Sequence, residues 1–440
     1  MKGPLFGVRD ATTPATILGA VAHGPLGIVR SLGRLGVPVQ VVDPNPWAPA
    51  FFSRYCRQRF VRDVLRGTPA ESVALLLEVG RATGRRSILL PTTDDAALFV
   101  AAHAEALRQA FTVIDLPRAL VAALCSKKEM HHLVRRLGIP TAQAVFPRSR
   151  EDVLEFVEGA AFPVMLKGID GLRLRERGGE RMFIVQDRRK LLERYDALED
   201  AADPNLMLQE YIPGGDDTVW MFNGYFDARS ECLVGFTGKK LRQYPVHRGS
   251  TSLGICLRND AVERMTRDFM KAIGYRGILD IGYRFDARDG LYKVLDVNPR
   301  IGATFRLFVA ENGLDVVRAM YLDLTGQPVP AAAAREGRKW VVEDHDLLSL
   351  LGYRRDGGLE LRKWAASLRG VREAAYFAAD DPLPLLAMCA NDARTALQRF
   401  RAGGGQAAGP RGWVPRCLTR ERVDRRGAIR ARASAPERLI

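Results

Sequence analysis

Apolar and polar positions along the chain change period several times, and the changes mark out elements. Residues 16–22 (TILGAVA) form a short apolar run that predicts a buried strand, followed by a Gly-containing turn and a helix over about 25–35. A second apolar run, 38–42 (PVQVV), ends on Asp43, and a third, 87–90 (SILL), ends in the polar cluster Pro91–Asp95 before a helix over about 94–108. Strands alternating with helices predict a parallel, doubly wound sheet, whose strand ends near His23, Asp43 and Thr92–Asp95 face a crevice. Gly19, Gly24 and Gly27 do not match G-x-G-x-x-G, so the pattern gives little support to a dinucleotide site.

The next stretch reads as an open mixture of strands and helices. A helix over 126–137 stops at Leu137-Gly-Ile-Pro140, where Gly and Pro suit a C-terminus. Strand 142–145, helix 149–158 and strand 163–167 follow, the last ending on Lys167. Segment 168–180 (GIDGLRLRERGGE) is expected to be a mobile loop before the strand RMFIV, a helix over 187–198 and a strand over 206–211. Residues 217–238 predict two strands turning at Asn223-Gly224, a strong hairpin dipeptide. After a helix over 260–273, residues 276–297 predict two strands joined by an Asp-Gly turn, and a helix over 312–325 closes the module. The pattern is weaker over 338–390, and no internal repeat is evident.

Composition narrows the class. The chain has 440 residues, 47% hydrophobic and 27% charged, which predicts about three folded domains rather than wholesale disorder. No apolar run reaches the roughly 18 residues of a membrane helix, and the N-terminus lacks a signal-peptide core, so a cytoplasmic protein is expected. Cys56, Cys125, Cys232, Cys256, Cys389 and Cys417 form no C-x-x-C pair and read as free thiols. Of the net charge of +15, residues 401–440 carry +7 behind a Gly-Ala stretch. That predicts a disordered basic tail with weak contact to anionic surfaces and requires no nucleic-acid partner.

Candidate chemistry appears in two places. There is no G-x-x-x-x-G-K-[ST], so any nucleotide site is not a P-loop, yet Lys127 opens a helix and Lys167 ends an apolar strand. If Asp286 and Gly290 close a three-residue loop, Asp280 and Asp296 fall directly opposite each other, with Asn298 on the same face. Opposed carboxylates repel. Two carboxylates and an amide on one face form a hard-oxygen set suited to Mg²⁺, while solvent-facing acids on an edge hairpin are the plainer alternative.

The order of motifs resembles the ATP-grasp superfamily, in its D-aspartate-ligase-like and carbamoyl-phosphate-synthase-like branch. The resemblance spans about 16–330 and rests on SKKEMHHLVRRLGIP (126–140), FPVMLKG (162–168), LMLQEYIPGGDD (206–217), RGILDIG (276–282) and YKVLDVNPRIGATFR (292–306). It implies an α/β chain that is α+β in its ATP-grasp part. The implied domains are a Rossmann-like domain (1–120), an ATP-grasp module (121–330, lobes 121–212 and 213–330), an appendage (331–400) and the tail (401–440). By resemblance, Lys127 and Lys167 grip phosphates, Glu210, Tyr211 and Ile212 contact adenine, and Asp217 lies near the ribose. Asp280, Asp296 and Asn298 hold Mg²⁺ (or Mn²⁺), Arg300 faces the transferred phosphate or acyl group, and Lys240 and Arg242 are anion ligands. The implied activity joins a carboxylate to an amine through an acyl phosphate, with small-molecule partners and a homodimer as one form. A bicarbonate-using enzyme and a non-catalytic nucleotide binder are the alternatives. Three departures from the family pattern stand out: Ser126 precedes the first lysine, aspartates replace glutamates at 280 and 296, and the 168–180 segment is Arg-rich.

Overall fold

A computed structural model of the chain describes residues 7–20 and 23–401; the tail expected from 401 lies, beyond Arg401, outside the described residues. The first sheet contains β1 (Ala15–Leu18), β2 (Val39–Asp43), β3 (Cys56–Val61), β4 (Ser87–Pro91) and β5 (Phe111–Thr112), all parallel in the order β3-β2-β1-β4-β5. The apolar runs of the sequence are its central strands, every residue of β1 and β2 being buried. The helix expected over 94–108 divides at His103 into Asp94–Ala102 and Ala104–Leu107.

A second, four-stranded antiparallel sheet follows: β6 (Ala144–Val145), β7 (Val164–Gly168), β8 (Met182–Val185) and β9 (Leu206–Glu210), in the order β6-β9-β7-β8. Between β7 and β8 the expected mobile loop is instead a helix, Gly171–Gly178. Its start is set by Asp170, whose Oδ1 accepts from the backbone N–H of Leu172 (2.8 Å) and Arg173 (3.3 Å). Its end is set by Gly179 at φ 78°. A side-chain cap and a left-handed glycine define a short helix even where composition suggests none.

The third sheet holds β10 (Val219–Phe226), β11 (Cys232–Tyr244), β12 (Ser250–Cys256), β13 (Gly277–Asp286), β14 (Leu291–Asn298), β15 (Lys339–Val341) and β16 (Val371–Ala374), in the order β14-β13-β10-β11-β12-β15-β16. Asn223-Gly224 is not a turn. Both residues lie inside β10, and the turn comes later, where Asp227 Oδ1 accepts from Arg229 N–H (2.8 Å) and Glu231 N–H (2.9 Å). Gly224 serves packing, since a Cβ there would fall 2.6 Å from the Phe222 ring.

The segment after 330 adds β15 and β16 to this sheet and packs back onto the first domain. Arg30, on the helix Gly24–Gly33, donates to Asp381 Oδ2 (2.9 Å) and to the carbonyls of Ala375 (3.2 Å) and Tyr376 (2.6 Å). One core runs from Ile17 and Leu26 through Phe305 and Tyr321 to Trp340, so the first sheet and the long sheet share apolar packing. No helix among the described residues is long and apolar enough to cross a membrane.

Candidate nucleotide and metal site

Strands β13 and β14 carry the carboxylates. Asp280 pairs with Asn298 and Gly282 with Asp296, with a register shift between Gly282 and Tyr283. The expected opposition of Asp280 and Asp296 is therefore corrected: Asp286 pairs with Leu291 across a four-residue loop rather than with Gly290, a bulge adds a second residue of shift, and together they carry Asp296 to the diagonal, where repulsion is weaker while both acids keep one face. Asn298 Nδ2 ties them together, donating to Asp296 Oδ2 (3.0 Å) and Asp280 Oδ2 (3.4 Å). From β10, Asn223 pairs with Asp280 and donates to its Oδ1 (2.8 Å), while its own Oδ1 is buried without a partner. Glycines make room: a Cβ on Gly282 would lie 2.5 Å from Asp296 Oδ1, and one on Gly302 would lie 2.4 Å from Asp280 Cγ. Burial, reinforced by the charge of Asp296, pushes Asp280 up to about 6.

Three lysines face these acids, and all are held by neutral oxygens. Lys127 sits in the first turn of the helix Lys127–Arg136, capped by Ser126, and donates to the Ile169 carbonyl (3.0 Å). Lys167 donates to Gln209 Oε1 (2.6 Å), and Lys240 to the Gly249 carbonyl (2.9 Å) and Gln243 Oε1 (3.4 Å). Burial lowers the pKa of all three, and Lys127 helps bring Lys167 down to about 8. The charge of Asp296 opposes that lowering at each lysine. Arg300 closes the end toward the first domain, donating through Nε to Asp94 Oδ1 (2.6 Å) and through Nη2 to Asn298 Oδ1 (3.1 Å).

The remaining expected residues divide. Tyr211 lies with the Arg284 guanidinium 5.5 Å from its ring centre, Ile212 is buried, and Asp217 is exposed on the turn Asp216–Thr218. The Glu210 carboxylate is already engaged: it accepts from Gln143 N–H (3.0 Å) and pairs with Arg288 (2.9 Å) and Lys293 (3.2 Å). Its backbone N–H also donates to the Gln143 carbonyl (2.9 Å), so a base would have to be met by other backbone groups of this segment. Arg242 is not an anion ligand. Its Nε and Nη2 each reach Asp346 at 2.8 Å and its Nη1 reaches Ser367 Oγ at 2.5 Å, deep between the sheet and the helix Glu343–Arg355.

The sequence pattern put Asp94 only in a crevice-facing cluster, made Asn223 a turn residue and gave Arg284 no role. Arg284 donates to the Gly214 carbonyl (2.6 Å), keeps a buried Nε without a partner, and its charge lowers Lys167 and Lys240. It was findable, because Asp280, Gly282 and Arg284 follow the two-residue period of one strand face.

A parallel-sheet domain leads into two further lobes, with Lys127 and Lys167 on the first and the carboxylates together with Lys240 on the second, the arrangement that the resemblance to the ATP-grasp superfamily implies. No family model matches the chain. It is 23% identical over 247 residues to the D-aspartate ligase of Enterococcus faecium, a match covering 53% of this chain and 58% of that ligase, little more than half its length. Among solved structures it is similar to N5-carboxyaminoimidazole synthetase from Staphylococcus aureus complexed with ADP, with TM-score 0.59, 12% identity and coverage of 80% and 88% of the two chains. It also resembles the biotin carboxylase domain of Hydrogenobacter thermophilus 2-oxoglutarate carboxylase with MgADP and bicarbonate, with TM-score 0.56, 16% identity and 74% of each chain covered.

Proposed function

We propose that this chain is an ATP- and magnesium-dependent ligase that joins a carboxylate to an amine through an acyl phosphate. The observation that carries the reading is the convergence of Asp280, Asp296 and Asn298 with three half-buried lysines that lack carboxylate partners of their own. The donor set fits a hard cation: two carboxylates, an amide, and space kept open by Gly282 and Gly302. Among the described residues no group of three or more His, Cys, Asp or Glu side chains is arranged to hold a metal. Asp280, Asp296 and Asn298 would be the residues that hold Mg²⁺ or Mn²⁺ in this reading. A cation bound there neutralises phosphoryl oxygens during transfer.

The chain's own groups divide the remaining work. Lys127 and Lys167 hold phosphates from the lobe 121–212, and the backbone around Glu210–Ile212 meets the adenine, with Tyr211 under Arg284 and Asp217 toward the ribose. Lys240 and Arg300, on the lobe 213–330, orient the carboxylate for attack on the γ-phosphorus. The amine then displaces phosphate from the acyl phosphate, and the closed lobes exclude the water that would hydrolyse it. The D-aspartate ligase relative supports ligation to an amine, and the reading carries a cytoplasmic setting with no nucleic-acid partner.

An ADP-release screen of purified protein against pairs of carboxylates and amines tests this. Release that requires both partners is expected. Release driven by bicarbonate without amine would replace the reading with a carboxylase, and ATP binding with no release would leave only a nucleotide binder.

A further inference from the structure

Buried polar atoms without partners concentrate in two places among the described residues. One is the cleft above, with Asn223 Oδ1 and Arg284 Nε. The other lies between the first domain and the last module, and nothing in the mechanism so far uses it. There, both ring nitrogens of His23, Nε1 of Trp340, Nδ1 of His345 and Oδ1 of Asp344 are buried and unpaired. His23 is 4% exposed and Trp340 1%. Its ring centre lies 5.1 Å from Trp340, 6.0 Å from Tyr376 and 6.3 Å from His345, which in turn lies 5.2 Å from Tyr244.

Such atoms are rarely left unsatisfied, because each forfeits its hydrogen bonds to water on folding. Five in one cluster, contributed by the turn before the helix Gly24–Gly33, by β15 and by the helix Glu343–Arg355, call for a ligand of mixed character. A carboxylate oxygen and a neutral imidazole nitrogen ask for donors, and the faces of Trp340 and Tyr376 favour a cation. The indole N–H and the second nitrogen of His23 ask for an acceptor. Arg30 fixes the Tyr376 side of the cage by gripping that residue's carbonyl at 2.6 Å.

The cluster also adjoins the reaction centre. A Cβ on Gly24, the residue after His23, would lie 3.1 Å from Ala303 Cα, and one on neighbouring Gly302 would lie 2.4 Å from Asp280 Cγ. Building on the ligase reading, we infer that His23, Trp340, Asp344, His345 and Tyr376 form the seat of the amine substrate. They hold the ammonium group of a small primary amine that carries a nearby carbonyl or carboxylate oxygen.

Calorimetry on the full chain with a non-hydrolysable ATP analogue and Mg²⁺ tests the seat. The probes are glycinamide and both enantiomers of alanine, with glycolamide and lactate as matched compounds lacking the ammonium. At least one amine is expected to bind about tenfold or more tighter than its hydroxy counterpart, and Asp344→Asn to weaken it about tenfold with affinity for the ATP analogue unchanged. His345→Asn reads the same seat should Asp344→Asn lower the melting temperature. The inference is overturned if no amine binds, which would assign these atoms to ordered water, or if the folded variants bind amine as the wild type does. Amine-stimulated ADP release equal in wild type and variants would keep the ligase and remove the seat. Amine binding lost in the variants, with no amine-stimulated release in the wild type, would keep the seat and remove the ligase.

Discussion

Two sets of cations in this molecule, one of buried arginines and one of half-buried lysines, have opposite surroundings. Near the last module, Arg30 meets Asp381 at 2.9 Å, Arg242 meets Asp346 at 2.8 Å, and Arg306 meets Asp315 at 2.5 Å and Glu373 at 2.7 Å. In the cleft, Lys127, Lys167 and Lys240 have only carbonyl and amide oxygens. Burial works against the charge of both Arg306 and Lys167, but Glu373 and Asp315 overcome it and raise Arg306, while Lys127 adds to it and lowers Lys167 to about 8. A buried charge without an opposite is expensive and persists where something else supplies the compensation. The arginines hold the fold together. Under the proposed function, phosphate supplies that compensation to the lysines.

The sharpest way to break this contrast is to remove the acids that face the lysines. Asp296→Asn combined with Asn298→Ala should cut magnesium-dependent ATP turnover by at least about a thousandfold with the fold intact, read by ADP release beside circular dichroism. Turnover near wild type would end the metal assignment. Next in size, Arg242→Ala should lower the unfolding free energy by about 3 kcal/mol in urea titrations. Asp346 keeps Trp364 Nε1 (2.8 Å) and Ser252 Oγ (3.1 Å), which holds the loss near the low end for a broken buried pair. If instead stability is unchanged and turnover collapses, Arg242 belongs with the lysines.

Lys167→Met should do the reverse of Arg242→Ala. ATP should bind about ten- to a hundredfold more weakly by calorimetry, with a melting temperature equal to or above that of the wild type. A drop in melting temperature with ATP affinity retained would make Lys167 a structural residue. The smallest effect is one of pH. Because Lys167 titrates near 8 in the folded chain, below the 10.5 of a free lysine, the unfolded chain binds more protons between those values. The ligand-free wild type should therefore gain stability as pH rises from about 8 toward 10.5, and its ATP affinity should decline over the same range. Both slopes should flatten in Lys167→Met.

Most strands and many helix ends were legible because apolar period and caps are local signals; Lys167 at a strand end and Lys127 in a first turn came from these alone. What failed was decided at longer range. Asn223-Gly224 has the chemistry of a turn, but pairing with Asp280 and Phe236 on either side keeps it extended in mid-sheet. The helix Gly171–Gly178 hinges on one cap at Asp170 within a glycine- and arginine-rich run. Asp280 and Asp296 were found on the right hairpin and the right face, yet their register depended on a turn one residue longer than assumed and on a bulge no spacing rule reveals. Arg242 looked like a ligand because its partner, Asp346, lies 104 positions away.

The bond between Arg30 and Asp381 joins residues 351 positions apart, and it has a bearing on how the chain is made. As the polypeptide emerges, the helix Gly24–Gly33 exists long before the acid that neutralises it. Until then its guanidinium stays hydrated, and the surface destined for the last module is open to other contacts. The contact between the first domain and the last module thus forms only after that module has been synthesised, so the crevice between them is completed late.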